Sequence, residues 1–218
     1  RHGPSALSLI GIAVEDVSRQ GETPGGSDVR LFVAVDLDEQ VRRAAGRLAR
    51  VLRARLEQLE QYGVSWVAPE NMHVTLRFLG EVREDVAQQV EAALKLPFGL
   101  PEFELEVRGI GTFPPSGSAR VVWFGITAGA EELSRLHDEV EVRLRPFGFP
   151  EEGRAFRAHL TVGRFRVPAP ARVRDLAGLR GQDEIGRCRV GRVTLYRSQL
   201  SPRGAVYTPL VRAPLGTT

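Results

Sequence analysis

Only four of the 218 residues are histidine, yet two of them sit in the same short setting: His73-Val74-Thr75-Leu76 and His159-Leu160-Thr161-Val162. Both settings read as strands, in which residues two apart point to one side and stand roughly 6.6–7 Å apart. His73 and Thr75 then share a face while Val74, Leu76 and Phe78 pack the other. The same parity pairs His159 with Thr161 and turns Leu160 and Val162 inward. β-Branching restricts χ1 of each threonine, so a strand holds its hydroxyl in a set direction. A lone His-x-Thr is usually no more than a half-exposed strand. Two copies at equivalent places in a repeated unit would instead meet across one groove.

Opposed imidazoles, with an ordinary pKa near 6.5, can act at neutral pH as one base and one acid. Two neutral hydroxyl donors between them suit the nonbridging oxygens of a phosphodiester during in-line attack. The chemistry implied is phosphoryl transfer without a metal. A cyclic phosphodiester fits best, because its leaving oxygen stays tethered and ring strain lowers the barrier. A metal-ligand reading is weaker: zinc or iron asks for a third ligand, and neither motif carries one within two residues on its own face. His137 stands at helical spacing with Leu133, Leu136 and Val140 and reads as a packed or partly exposed helix histidine. Cys188 is the only cysteine; it excludes an intrachain disulfide, fits a reducing cytoplasm, and reads as a small buried apolar residue.

The elements that must hold these residues alternate along the chain. "RLFVAVDL" reads as a buried strand, followed by a helix placing Val41, Ala44, Ala45, Leu48, Val51 and Leu52 on one face. After the first motif strand come the helix "EDVAQQVEAALKL" and the half-exposed strand "FELEVRGIG". The second half repeats the plan with the strand "ARVVWFGI", the helix "AEELSRLHDEVEVRLR" and the second motif strand "RAFRAHLTVGRF". "RVTLYRSQLS" and "GAVYTPLVR" close the chain as a hairpin around "PRG". The expected fold is α+β: a bilobal duplicated arrangement of two antiparallel or mixed sheets, with outer helices around a central groove. Residues 1–28, ending in a Gly/Pro/Ser/Asp cluster, read as an extension, flexible or non-native, ahead of a single domain over 29–218.

With 42% apolar residues the chain can fill a core, and it has no uninterrupted apolar run long enough to span a bilayer. The formal charge of +3 is uneven, since residues 151–218 hold thirteen arginines against five acidic residues. A planar guanidinium fork suits phosphate oxygens, so this basic third points toward a nucleic-acid partner, though a general bias toward arginine explains it about as well. "GIGTFPPSG" lacks the third glycine and following helix of a nucleotide loop and reads as a turn.

These residues resemble the 2H phosphoesterase superfamily, which is built on two His-x-Thr-x tetrads, and more narrowly the RNA 2',3'-cyclic phosphodiesterases, also called 2'-5' RNA ligase or LigT-like proteins. The likeness runs from about Arg30 to Leu210 and rests on "RLFVAVDL", "WVAPENMHVTLRFLGEV", "GTFPPSGSARVVWFGI", "HLTVGR" and "SQLSPRGAVYTPL". It implies a bilobal α+β fold, no cofactor, and RNA ends or small cyclic nucleotides as partners, with a cytoplasmic monomer assumed. It makes His73 and His159 catalytic, His159 as base and His73 as acid, with Thr75 and Thr161 holding phosphate. The implied reaction opens a terminal 2',3'-cyclic phosphate to a 2'-phosphomonoester. The alternatives are 2'-5' ligation at the same site and an RNA-end binding protein without turnover. Arg164 matches a substrate-contacting arginine of similar proteins; strict alternation points it away from His159, so the match needs Gly163 to break parity, as a bulge would. Arg77, on the expected face of His73 and Thr75, is a second phosphate candidate. Ala158 stands where relatives often have proline. Phe156, Trp66 and Tyr207 are candidates to stack a base or to pack the rim.

Overall fold

The strands of the computed structural model follow in chain order as β1 (Val29–Asp36), β2 (Val64–Trp66), β3 (His73–Val82), β4 (Phe103–Phe113), β5 (Ala119–Ile126), β6 (His159–Ala169), β7 (Glu184–Val190), β8 (Arg192–Ser201) and β9 (Gly204–Pro214). Three helices join them: α1 (Glu39–Leu56), α2 (Glu84–Leu94) and α3 (Ala130–Leu144). The structure describes residues 28–56, 62–153, 155–173, 184–201 and 204–216. The extension expected over 1–28 lies, but for Asp28, outside the described residues.

The strands are antiparallel neighbours in the order β7-β4-β5-β6-β3-β1-β8-β9, with β2 added to β6. Where two separate sheets were expected, the described strands form one, and its middle is thin: β3 and β6 meet through a single pair, Val74 opposite Leu160. On one side of that pair β3 joins β1 and then the β8–β9 hairpin; on the other β6 joins β5, β4 and β7. The hairpin expected around "PRG" forms, with Ser201 opposite Gly204. β2 and β7 were not anticipated. Three residues are too few to show a period, and "EIGRCRV" hides its alternation behind charged side chains on the open face.

The helices cover one side of the sheet. Asp38 starts α1 by accepting the Val41 N–H at 2.7 Å. The helix buries Val41, Ala45, Ala49, Leu52 and Leu56, while Val51, expected inward, is 47% exposed. Its register follows the 41-45-49-52-56 row, which leaves Val51 on the flank. Leu133, Leu136 and Val140 of α3 are buried as expected, joined by His137 and Leu144. Each of these two helices packs across the middle: α1, which follows β1, lies against β7, and α3, which follows β5, lies against β3. Val41 of α1 sits against Gly186 of β7, where a Cβ would come within 3.1 Å of its Cγ2. The core between helices and sheet includes Val33, Val74, Val122, Phe124 and Leu160, all fully buried. Among the described residues no helix is long and apolar enough to cross a membrane.

Candidate active site

The Val74–Leu160 pair decides the site. In an antiparallel pair the residues on either side of a matched couple point to the opposite face from it. Val74 and Leu160 are buried under the helices, so His73, Thr75, His159 and Thr161, all half-buried, emerge together on the open face. Antiparallel register sets His73 toward Thr161 and Thr75 toward His159. An ideal ladder would place the two histidines diagonally, about 7–8 Å apart at Cα. Here the ladder between β3 and β6 is that single couple, which leaves the two strands unpaired on either side of it. The structure thus brings both tetrads to one place, as their repeated spacing predicted.

Each imidazole is fixed in the same way. Nδ1–H of His73 donates to the Asn71 carbonyl at 2.8 Å, and Nδ1–H of His159 donates to the Arg157 carbonyl at 2.7 Å. A carbonyl only accepts, so in the neutral ring the proton sits on Nδ1 and Nε2 keeps its lone pair. Asn71 is in turn held by its own side chain, which donates to the Ala205 carbonyl of β9 at 2.8 Å. Burial, aided by the Arg164 guanidinium, pulls both imidazoles below their ordinary pKa, His73 to about 4. The Asp36 carboxylate pulls His73 the other way, and burial wins. Among the described residues neither threonine hydroxyl has a partner, which leaves both able to donate to a ligand.

The surroundings of the two histidines differ. Asp36 is the strand partner of His73, and Gly125 is the strand partner of His159. Asp36 accepts from the Thr194 hydroxyl at 2.8 Å and the Tyr196 hydroxyl at 2.5 Å. Burial and the Asp36 hydrogen bond push the Tyr196 phenol up. His73 stacks on Phe32 at 4.8 Å and has Tyr207 edge-on at 5.4 Å. His159 has Phe113 edge-on at 4.9 Å and Trp123 at 6.4 Å. Trp123 can lie flat only because residue 111 is glycine: a Cβ there would stand 2.2 Å from its ring.

The two arginine candidates part company here. Opposite Val122 and Trp123 of β5, which pair with Gly163 and Thr161, β6 carries one extra residue, Val162, so that Gly163 follows Val162 onto the covered side and Arg164 turns outward. Arg164 is exposed on the histidine face, close enough to help lower the pKa of His73 and His159 and to oppose the rise that burial gives Tyr207. The parity break that Arg164 requires is present. The same slip occurs in β3, where Leu76 is the extra residue opposite Val33 and Ala34 of β1, and there it overturns the expectation for Arg77. Arg77 turns under the sheet, 6% exposed, paired with Glu141 of α3 at 2.6 Å and Glu152 at 2.8 Å, and donating to the Pro150 carbonyl. It does not face the groove. Phe78, expected inward, takes the outward place and is 49% exposed.

Of the aromatic candidates only Tyr207 lies beside a motif histidine. Phe156 stacks on His137 at 4.7 Å. Trp66 lines a cavity of about 290 Å³ with Ala49, Arg53, Pro69 and Met72, on the α1 side. Phe32, Phe113, Trp123 and Tyr196 went unassigned from sequence, since an apolar run such as "ARVVWFGI" does not say which residues face out. Asp36 did leave a signal, as a carboxylate ending a buried strand.

The comparisons agree with this geometry. A family model described as LigT like Phosphoesterase matches residues 35–123 and 125–207. An RNA 2',3'-cyclic phosphodiesterase of Methanothermobacter thermautotrophicus is 37% identical over 184 residues, covering 84% of this chain and 96% of that protein. One of Archaeoglobus fulgidus is 37% identical over 182 residues, covering 84% and 98%. Among solved structures, E. coli LigT complexed with 3'-AMP superposes with a TM-score of 0.66 at 26% identity, covering 87% of this chain and 99% of that one. With both tetrads on one face of an antiparallel sheet and the match running through both halves, the chain belongs to the LigT-like phosphoesterase family.

Proposed function

We propose that this protein is a metal-independent cyclic phosphodiesterase that opens terminal 2',3'-cyclic phosphates of RNA to 2'-phosphomonoesters. The observation that supports the reading is the single Val74–Leu160 pair, flanked on the open face by two Nδ1-anchored imidazoles and two threonines. Several relatives are named RNA 2',3'-cyclic phosphodiesterase, and E. coli LigT is known in complex with phosphate as well as with 3'-AMP. Among the described residues no three His, Cys, Asp or Glu side chains gather as a metal-ligand set.

In the proposed step a water oxygen attacks phosphorus in line with O3'. His159 Nε2 takes the water proton as the new P–O bond forms, His73 Nε2–H protonates O3' as the P–O3' bond breaks, and the phosphate stays on O2'. Thr75, Thr161 and Arg164 hold the nonbridging oxygens, the charged fork giving the stronger bond. Asp36 beside His73, with only Gly125 beside His159, favours the imidazolium at His73 and supports it as the proton donor. Burial opposes this in the free protein, so His73 takes up the donor proton from solvent as the anionic substrate binds.

The test is turnover of an oligonucleotide ending in 2',3'-cyclic phosphate in excess EDTA, with the product identified by phosphorus NMR. His73→Ala and His159→Ala should each lower kcat by about 10²–10⁴-fold. A substrate with sulfur at the 3'-bridging position, whose leaving group needs no proton, should rescue His73→Ala and not His159→Ala. Turnover that EDTA abolishes, or that survives both substitutions, refutes the reading; rescue of His159→Ala instead exchanges the two roles.

A further inference from the structure

The cavity beside Trp66 is separate from the open face that carries the motif histidines. It lies between the second half of α1 and the segment that runs from β2 to the start of β3. Gly46, Ala49, Arg50 and Arg53 recur at i, i+3, i+4 and i+7, so α1 turns all four toward one side. At Gly46 helix and segment touch: a Cβ there would stand 2.8 Å from the Pro69 Cγ. One turn further along, the small Ala49 leaves a recess of about 290 Å³, walled by Trp66, Val67, Pro69 and Met72.

The mouth of this apolar recess is cationic. Arg50 and Arg53 are both exposed there, and among the described residues neither has a hydrogen-bond or ion-pair partner. Arg42 and Arg43 of the same helix, by contrast, are both tied to Glu39. Two guanidiniums repel a cation, and a neutral ring would leave them unused. A recess at the small end of ligand pockets, with Trp66 and Met72 as walls and two planar forks at the rim, suits one flat ring bearing an oxyanion.

The same wall is the mount of His73. The Asn71 and Met72 N–H groups donate to the Ala68 and Pro69 carbonyls at 2.9 and 3.1 Å, closing the turn whose Asn71 carbonyl accepts from His73 Nδ1. Met72 lines the cavity, and the next residue, His73, emerges on the open face. A ring that enters between α1 and Pro69 therefore bears on the backbone that aims the imidazole.

We infer that this cavity is a second ligand site, which takes a small aromatic phosphate or carboxylate, and that its occupant inhibits the phosphodiester site by displacing the turn that holds His73. The binding stands on geometry alone; the inhibition rests on the function proposed above.

Met72 is the only methionine and Trp66 one of two tryptophans, so the Met72 methyl and the Trp66 indole N–H are single NMR reporters of the cavity. Trp123, beside His159, reports the phosphodiester site. In the full chain, phenyl phosphate and benzoate should each shift Met72 and Trp66 saturably and move the His73 ring signal with the same Kd, whereas benzylamine should not. Arg50→Gln with Arg53→Gln should weaken binding about 10-fold or more. Ala49→Leu, which fills the recess, should abolish it; if that variant does not fold, the arginine pair decides. Benzoate should lower kcat on 2',3'-cyclic AMP by about fivefold, unrelieved by more substrate, and lose this effect in the arginine variant. Unmoved Met72 and Trp66 signals, equal binding of benzylamine, or unchanged affinity in the arginine variant would each overturn the site. So would shifts confined to Trp123 with inhibition that survives in that variant. A filled cavity with the His73 signal and kcat unmoved overturns the inhibition. If wild type turns over no substrate, the phosphodiesterase reading fails by itself, and the Met72, Trp66 and His73 signals still judge the cavity and its link to His73.

Discussion

The two motif imidazoles are alike at Nδ1 and unlike in what lies beside them, and that sets how they titrate. Burial is the first cause of the lowered pKa in both, with Arg164 adding to it. At pH 7 both are therefore neutral in the free protein, with Nε2 available to take a proton. A bound phosphate favours the charged ring and raises the pKa of whichever imidazole it touches, so binding takes up a proton. Affinity for inorganic phosphate should fall as pH rises from about 6 to 8. At pH 7 the calorimetric heat of binding should vary with the ionisation enthalpy of the buffer, with a slope approaching one proton. A slope of zero would mean that neither histidine is charged by the ligand. The Asp36 network belongs to the same scale: its two hydroxyl donors fix a carboxylate opposite one histidine alone.

At the scale of elements, the register slip in each motif strand does two things at once. It sends position 78 or 164 to the groove, and it sends position 77 or 163 under the helices. In β6 the inward place is Gly163, packed near Val64 and Trp66 of β2; in β3 it is Arg77, which ties the strand to α3 through Glu141 and to the segment leading into His159 through Glu152 and Pro150. Arg77 thus joins the first motif strand to the approach of the second. Arg77→Met would leave the half-buried Glu141 without its arginine partner and should lower stability by about 3–5 kcal/mol. Arg77→Met with Glu141→Gln should recover part of that loss. Urea unfolding of the two variants measures it, and a loss under about 1 kcal/mol would mean the pair is solvated. This element also marks where sequence reasoning stops. Alternation placed His73, Thr75, His159 and Thr161 correctly because they precede the slip. In β6 a glycine warned of irregularity, whereas "VTLRFLG" has no such mark before Phe78, and an arginine in a strand argues for solvent until its two carboxylate partners, distant along the chain, are known.

At the scale of the whole molecule, the repeated order of strand, helix and motif strand was legible, and the way its parts are joined was not. Periodicity reports which residues of one element are buried, but not against what. Nothing in "AEELSRLHDEVEVRL" says that α3 will pack on β3, or in "EQVRRAAGRLARVL" that α1 will pack on β7. Those crossed packings matter because the sheet is thinnest where the chemistry sits. A single backbone pair between β3 and β6 could not by itself hold two histidines in fixed relation, and α1 and α3 bridge the gap from the covered side. Arg77, reaching from β3 to α3 and on to Glu152, adds a polar link across the same seam. Each half therefore completes its core with a helix from the other, and neither should be stable alone. Unfolding in urea should be a single transition, with far-ultraviolet circular dichroism coinciding with fluorescence from Trp66 and Trp123, both of which lie beside β6 and its neighbours. If the fluorescence change precedes the loss of helix, the β6 half opens on its own. The groove would then be a hinge between independent lobes, not a gap held rigid by shared helices.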